Sequence, residues 1–478
     1  MLPYPSWLNT GDNTWQLTAA TLVGLMSIPG LAVLYGGVVQ RRWAVNSALM
    51  AFYGFAIVLL TWVLWGFKMS FGSPINIGSL PQFLGIPGPS LDHVAEQARA
   101  NIPLLSGIGL MPQFRFPQAS LIYFQFVFAA ITPLLFLGSL IGRISFKAWM
   151  ILVPLWSTVV YSVDAFSIWG GGWLAAAGAV DYSGGYVIHL SAGVSGFVAA
   201  AIIGPRLARD RADAAPNNLL MTMAGAGLLW LGWNGFNGGD PYFANADAAA
   251  AVLNTNLAAA TALLTWMAID MIAVGKPSLV GSVNGMITGL VAITPAAGFV
   301  NGTGAIIIGL VAAAVPWFTM NRVTIFRRVD DALGVVHTHG IAGLIGGLMV
   351  GLVADPNMLE YPGAGKAGAG AFSVGGLFYG AGTHQLVAQL EGAGFVIAWS
   401  AVATFAVVRV VGLIVPLRMT NAQLEAGDSV VHGEEVAAPL PGLAIPEHTG
   451  HGIPMPGSGA AGAVLASSIT AAPPPTRT

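Results

Sequence analysis

The sequence predicts an all-α polytopic membrane protein, and three observations predict it. Of the 478 residues, 55% are hydrophobic and only 8% are charged, where a soluble domain carries about a quarter charged residues. Apolar stretches of the length that crosses a bilayer, about 20 residues, recur between clear breaks. Two short motifs each return five stretches later, which ties the stretches into one repeated architecture.

Eleven stretches qualify: 15–38, 45–70, 118–141, 148–168, 186–205, 218–237, 249–274, 279–299, 302–320, 333–353 and 392–416. The 63 glycines suit helices that pack closely in lipid. Lys and Arg fall on one side of these stretches. Arg41, Arg42, Arg143, Arg206, Arg327 and Arg328 occupy short loops of one face, with Arg418 after the last stretch, whereas the other face holds Arg99, Arg115 and Lys366. The positive-inside rule then places the N-terminus outside and the C-terminus in the cytosol of a cell-membrane protein. Residues 1–13 are polar and too short for a cleaved signal, so the first stretch reads as an uncleaved anchor. A net charge of −2 gives no basic surface for nucleic acid, and zero cysteines leave no disulfide or thiolate metal site. Residues 12–417 form the transmembrane domain, and 418–437 a polar cytosolic regulatory segment. Residues 438–478, rich in Pro, Gly and Ala, have too little to bury to fold.

The repeat singles out a site. Ala130-Ile131-Thr132-Pro133 returns as Ala292-Ile293-Thr294-Pro295, and His189-x-x-Ala192-Gly193-x-x-Gly196 returns as His339-x-x-Ala342-Gly343-x-x-Gly346. An odd number of spans per copy inverts the second copy, and in inverted repeats the substrate path lies at the repeat interface. A lone intramembrane histidine is more often a packing residue. Two at equivalent positions, each followed by glycines at i+4 and i+7 that admit another helix, reverse that preference for His189 and His339. His337 points to another helix face and has no repeat mate, so it reads as a structural or inner-vestibule residue. At 1.5 Å per residue, His339 lies roughly 12 Å and His189 roughly 25 Å from the inner boundary. Contact between them therefore requires tilted helices or a fifth helix that starts recessed below the outer surface.

At these residues the chain resembles the ammonium transporter, methylammonium permease and Rhesus protein family. The resemblance runs from about Asp12 to Glu434. It rests on Ile28-Pro29-Gly30 with Tyr35-Gly36-Gly37, Trp169-Gly170-Gly171-Gly172 followed by Asp181, Gly184 through His189, Gly232-Trp233-Asn234-Gly235-Phe236-Asn237, and Asp330-Asp331 leading to His339. The resemblance implies eleven helices, an inverted repeat of five and five plus a last helix, and a homotrimer with one pore per subunit. It implies that Trp169 and Phe128 wall an outer ammonium site by cation–π attraction, with Phe236 beside them. Phe128 and Phe236 would gate the pore, His189 and His339 would line it, and Asp181 would support the outer site without lining it. No cofactor is implied. Methylammonium serves as an analogue, and a PII-type signal protein could block the cytosolic face near Arg418–Glu434.

Three positions depart from the family pattern. Asp240 stands where many members have serine, and it reads either as a cation ligand or as a cap for the turn at Pro241. Val163-Asp164-Ala165-Phe166 lacks the usual proline and histidine. His337-Thr338 replaces apolar residues before His339. The mechanism implied is shedding of the proton near the gate, after which ammonia, with or without a relayed proton, passes two neutral histidines. Two readings compete: a membrane haem protein with His189 and His339 as axial ligands, and an ammonium sensor that signals through its cytosolic tail.

Overall fold

The computed structural model describes residues 5–76, 78–103, 114–212, 215–361 and 371–436. The expected tail, 438–478, and Lys366 lie outside these residues. Among them the chain is helical, with four isolated β-bridges as its only extended pairing. Ten helices are long and apolar enough to cross a membrane: α1 Thr10–Val38, α2 Arg41–Phe71, α3 Gln118–Leu140, α4 Phe146–Ala176, α5 Gly185–Ile203, α6 Leu219–Gly238, α7 Ala246–Val274, α9 Gly302–Arg322, α10 Val336–Val353 and α11 His384–Ile414. Between α7 and α9, helix α8 spans Leu279–Ile293.

Helix α8 is shorter than its apolar run. The apolar run continues to residue 299, but the helix closes at Ile293 and Thr294 N–H turns back to Val291 O. Pro295 has no amide for a further helical bond, so the chain leaves as a tight turn and α8 stays at 15 residues. The first and last helices instead begin earlier than hydropathy suggests, at Thr10 and His384. Asn9 caps α1 by accepting from Asp12 N–H, as short polar side chains do at helix starts.

The layers follow burial. Helix α3 is buried along nearly its whole length and forms the centre with α5 and α10. Helices α7 and α11 turn apolar side chains outward; Ile272 is 87% and Leu413 88% exposed. An apolar outer face of this extent needs lipid or protein against it. Where α5 meets α10, glycines remove the side chains that would keep them apart. A Cβ on Gly193 would stand 2.3 Å from Gly340 Cα, and one on Gly343 would stand 2.5 Å from Gly185 O. The glycines at i+7 do the same against other helices, Gly196 at Ser139 and Gly346 at Ala292 O. All four were the small residues that follow the repeated histidines.

One face of the bundle gathers the arginines. Arg206 forms a bidentate pair with Asp330, Nε at 3.0 Å and Nη2 at 2.7 Å, and Arg42 pairs with Asp210. Burial pushes the Asp330 carboxyl up, but the guanidinium of Arg206, helped by Arg143, outweighs it and holds the group below the ordinary carboxylate range, as fork-shaped pairing favours the ionised acid. The segment after α11 docks on this face. Asp428 accepts from Val45 N–H at 2.7 Å and Asn46 N–H at 3.1 Å, and His432 Nε2 sits 2.9 Å from Asn46 Oδ1.

Candidate functional site

The site is a column that begins in a funnel opposite the arginine face. The funnel holds about 250 Å³ and is lined by Trp169, Asp181, Tyr182, Asp240 and Glu360 among others. Three acidic residues line it, and among the described residues no Lys or Arg does; His384 is the one basic residue among these lining groups. Below it, Phe128 and Phe236 pack with ring centroids 4.4 Å apart and planes inclined at 36°. Trp169 meets Phe128 edge-on at 6.4 Å. His189 follows beneath Phe236 at 5.8 Å, and His339 beneath His189 at 5.3 Å. A second, apolar cavity of about 60 Å³ opens past His339, lined by Leu31, Leu34, Trp233, Val283 and Ile287. Phe128, Phe236 and His189 are fully buried and line neither cavity. These three side chains are the plug between funnel and inner cavity.

The two histidines touch: their Nδ1 atoms lie 3.2 Å apart. Helix α5 begins at Gly185, after the turns that follow α4. Two neutral imidazoles fit this contact if one Nδ1 donates and the other accepts. Both histidines lie in helix turns wider than α, Gly185–Leu190 and Val336–Ile341, a local form frequent at functional sites.

Asp181 builds the start of α5. Its Oδ1 accepts from Gly184 and Gly185 N–H at 3.0 and 2.7 Å, and its Oδ2 from Tyr186 and Val187 N–H at 2.8 and 3.0 Å. Burial raises this carboxyl to about 6 while the four amides oppose the rise, so it is ionised at neutral pH. A negative charge among free amides at a helix N-terminus is favourable. Its backbone O also accepts from the Trp169 indole N–H at 2.7 Å. One residue thus orients both the funnel tryptophan and the helix that carries His189. Gly184 precedes the helix at φ 110° and Gly334 precedes α10 at φ 71°, a region that glycine enters without strain. On α10 the matching acid, Asp331, accepts from Val336 N–H at 2.8 Å.

Asp240 lines the funnel and accepts from the Ser183 hydroxyl. It also shares a side-chain hydrogen bond with Tyr242, the residue after Pro241, while the backbone of that turn is closed by Tyr242 N–H to Gly239 O at 3.0 Å. Burial pushes the Asp240 carboxyl well up, opposed by the Ser183 hydroxyl, while Asp181 adds to the rise. Asp164, in the stretch that departs from the family pattern, points away from the column and accepts from Ser400 on α11 at 3.0 Å. His337 sits with Nδ1 3.0 Å from Thr319 Oγ1 and its ring edge-on to Phe326 at 5.0 Å. It lines neither of the two cavities.

Sequence reasoning gave no role to Trp233, which stacks on His189 at 5.3 Å and 18° and donates to Thr294 Oγ1 at 2.9 Å. That threonine belongs to the repeated Ala-Ile-Thr-Pro motif. It also missed Ser183 and Asp331. A signal existed for Asp331: Asp181 and Asp331 stand eight residues before His189 and His339 in turn.

Comparison with known proteins gives the chain a family. "Ammonium transporter 3 member 2" of Oryza sativa subsp. japonica is 52% identical over 448 residues, 90% of each chain. "Ammonium transporter 2" of Arabidopsis thaliana is 51% identical over 438 residues, covering 91% of this chain and 89% of its own. Among solved structures, Saccharomyces cerevisiae Mep2 superposes with a TM-score of 0.72 at 29% identity, over 84% of this chain and 88% of its own. The profile of the Ammonium Transporter Family matches residues 14–437. By these matches the chain is a multi-pass membrane protein, a transporter rather than an enzyme, and belongs to the Ammonium Transporter Family.

Proposed function

We propose that the chain carries ammonium across the cell membrane, with the funnel outside and the arginine face in the cytosol. The observation that carries this reading is the unbroken column: acidic aromatic funnel, paired phenylalanines, touching histidines, apolar cavity. Trp169, Phe128, Phe236 and Asp240 form the recruitment end. There a cation gains the ring quadrupoles and the carboxylate, an attraction that strengthens as water leaves. Potassium is close to ammonium in size but cannot shed its charge. In the apolar path it would lose its hydration with no compensating ligand, at a cost of several kcal/mol. Near Phe128 and Phe236 ammonium gives its proton to water of the funnel, and ammonia continues past His189 and His339, with or without that proton relayed by the histidines.

Further parts of the proposal concern assembly. The chain has eleven spans, α8 among them, arranged as an inverted repeat of five and five plus α11. Three equivalences at one offset support this: Asp181 with Asp331, Gly184 with Gly334, and His189 with His339. The unit is a homotrimer with one pore per subunit, its contacts drawn from the apolar outer face. Residues 12–417 are the transport domain, and 418–437 a regulatory segment where a PII-type protein could act.

The test is uptake of labelled methylammonium by cells lacking their own transporters. His189→Ala and His339→Ala are each expected to change the rate, or the selectivity over potassium, by at least about tenfold, since each removes one member of the contact and leaves the other unpaired. If both variants match the native rate and selectivity, the twin-histidine path is wrong. Asp240→Ser is expected to weaken apparent affinity about three- to tenfold, the loss of one partly buried charge, with maximal rate unchanged or higher. Unchanged affinity would remove Asp240 from the recruitment site.

A further inference from the structure

Glu360 lies in the connection between α10 and α11 and faces the funnel. Its backbone is fixed by paired hydrogen bonds with Phe372, 2.8 and 3.0 Å. The residue is 6% exposed, and its carboxyl has no hydrogen-bond or ion-pair partner among the described residues. An ionisable residue this little exposed is normally paired. Asp240 cannot neutralise it and carries the same sign; neither can Asp247, whose Oδ2 already accepts from Asn245 and from Tyr361 N–H.

What surrounds Glu360 is aromatic. A Cβ on Gly298 would stand 2.1 Å from Glu360 Oε1 and 2.2 Å from Tyr182 Cε2, so carboxylate and ring edge meet over that glycine. Tyr182 packs edge-on to Phe299 at 5.2 Å, and Phe299 edge-on to Phe372 at 6.0 Å. All three rings line the same funnel. The Tyr182 hydroxyl is buried and also lacks a hydrogen-bond partner. A carboxylate and a phenol oxygen left unpaired beside aromatic faces make a complementary pocket for a small cation with N–H donors. Divalent metal is a poor fit: it wants six or more oxygens, and no three metal-ligating side chains converge among the described residues.

We infer that Glu360, with Tyr182, forms a second cation station in the funnel, which takes ammonium or a monoalkylammonium ion ahead of the Trp169–Asp240 station. The inference rests on the proposed function, because it assumes that the funnel receives the cation. One cation there offsets the charge of Glu360, and its N–H groups reach the Tyr182 oxygen. Two stations in one funnel of like-charged walls let an arriving cation drive the one ahead toward the plug.

The experiment is titration of the purified full-length protein in detergent with methylammonium chloride, followed by calorimetry. Glu360→Gln keeps the size and removes the charge; it is expected to lower affinity or abolish one class of sites, by at least about fivefold. Tyr182→Phe keeps the ring and removes the oxygen, with an expected loss of two- to fivefold. Melting temperatures of the unliganded variants are read in parallel, and a structural role would lower them while leaving binding intact. Native-like binding by both variants overturns the station. No binding by the native protein overturns the proposed function itself, so the two failures are distinguishable.

Discussion

Asp181→Asn is expected to cost about 3 kcal/mol or more of stability and to lower methylammonium uptake about ten- to a hundredfold. The carboxylate accepts four amides, two on each oxygen. An asparagine of the same shape has one acceptor oxygen, and its NH₂ group must face the other two amides, donor against donor. Hydrogen bonds to a charged acceptor contribute about 1.5–3 kcal/mol each, and buried donors left unpaired cost a comparable amount. The start of α5 then frays where α5 carries His189. The same residue's carbonyl holds the Trp169 indole, so the funnel loosens with the pore. Asp331→Asn sets the scale. Asp331 accepts from one amide at 2.8 Å, and its Oδ1 is already unpartnered, so its variant should lose far less. Uptake assays and thermal unfolding of both variants decide the matter. Equal losses, or a native-like Asp181→Asn, would sink the account.

These two acids also mark how far the sequence could be read. The class of fold and the pairing of His189 with His339 were legible, because hydropathy and an internal repeat both act at the scale of whole helices. The histidine contact was not. Rise per residue locates a side chain only along a helix whose start and tilt are known, and the four amides that Asp181 holds at the start of α5 show only in three dimensions. Helix starts at Thr10 and His384 were hidden because their first turns are polar, and hydropathy cannot separate a capped turn from a loop. The end of α8 was hidden for the opposite reason: residues 294–299 stay apolar after Pro295 has ended the helix. The role of Glu360 was the least legible. Nothing in the local sequence marks a glutamate in a long connection as buried, and its burial depends on Phe372 and Gly298, both distant in sequence.

The plug depends equally on an absence. Replacing Gly193 by valine is expected to abolish uptake and to destabilise the protein by several kcal/mol, the range for overpacking at a tight contact. The smallest side chain already fails: a Cβ at this position stands 2.3 Å from Gly340 Cα and 2.3 Å from Gly340 N, with His339 C at 3.4 Å. These are backbone atoms, so no rotamer change relieves the clash, and α10 must move away from α5. Gly340 directly follows His339, so that movement is transmitted to the imidazole and opens the 3.2 Å contact. Gly196 supplies the control. A Cβ there meets Ser139 Oγ at 2.5 Å, an atom that can rotate aside, and Ser139 Cβ and Phe136 Cβ at 3.1 and 3.2 Å, which need yield only a few tenths of an ångström, so Gly196→Ala should retain more of the native rate than Gly193→Ala. Gly193→Ala should show the loss in milder form than valine, because it forces a smaller displacement. The graded order, Gly196→Ala above Gly193→Ala above Gly193→Val, follows from backbone geometry alone. Native-like uptake by Gly193→Ala would mean that α5 and α10 can separate without harm, and that the contact between the histidines is not what transport requires.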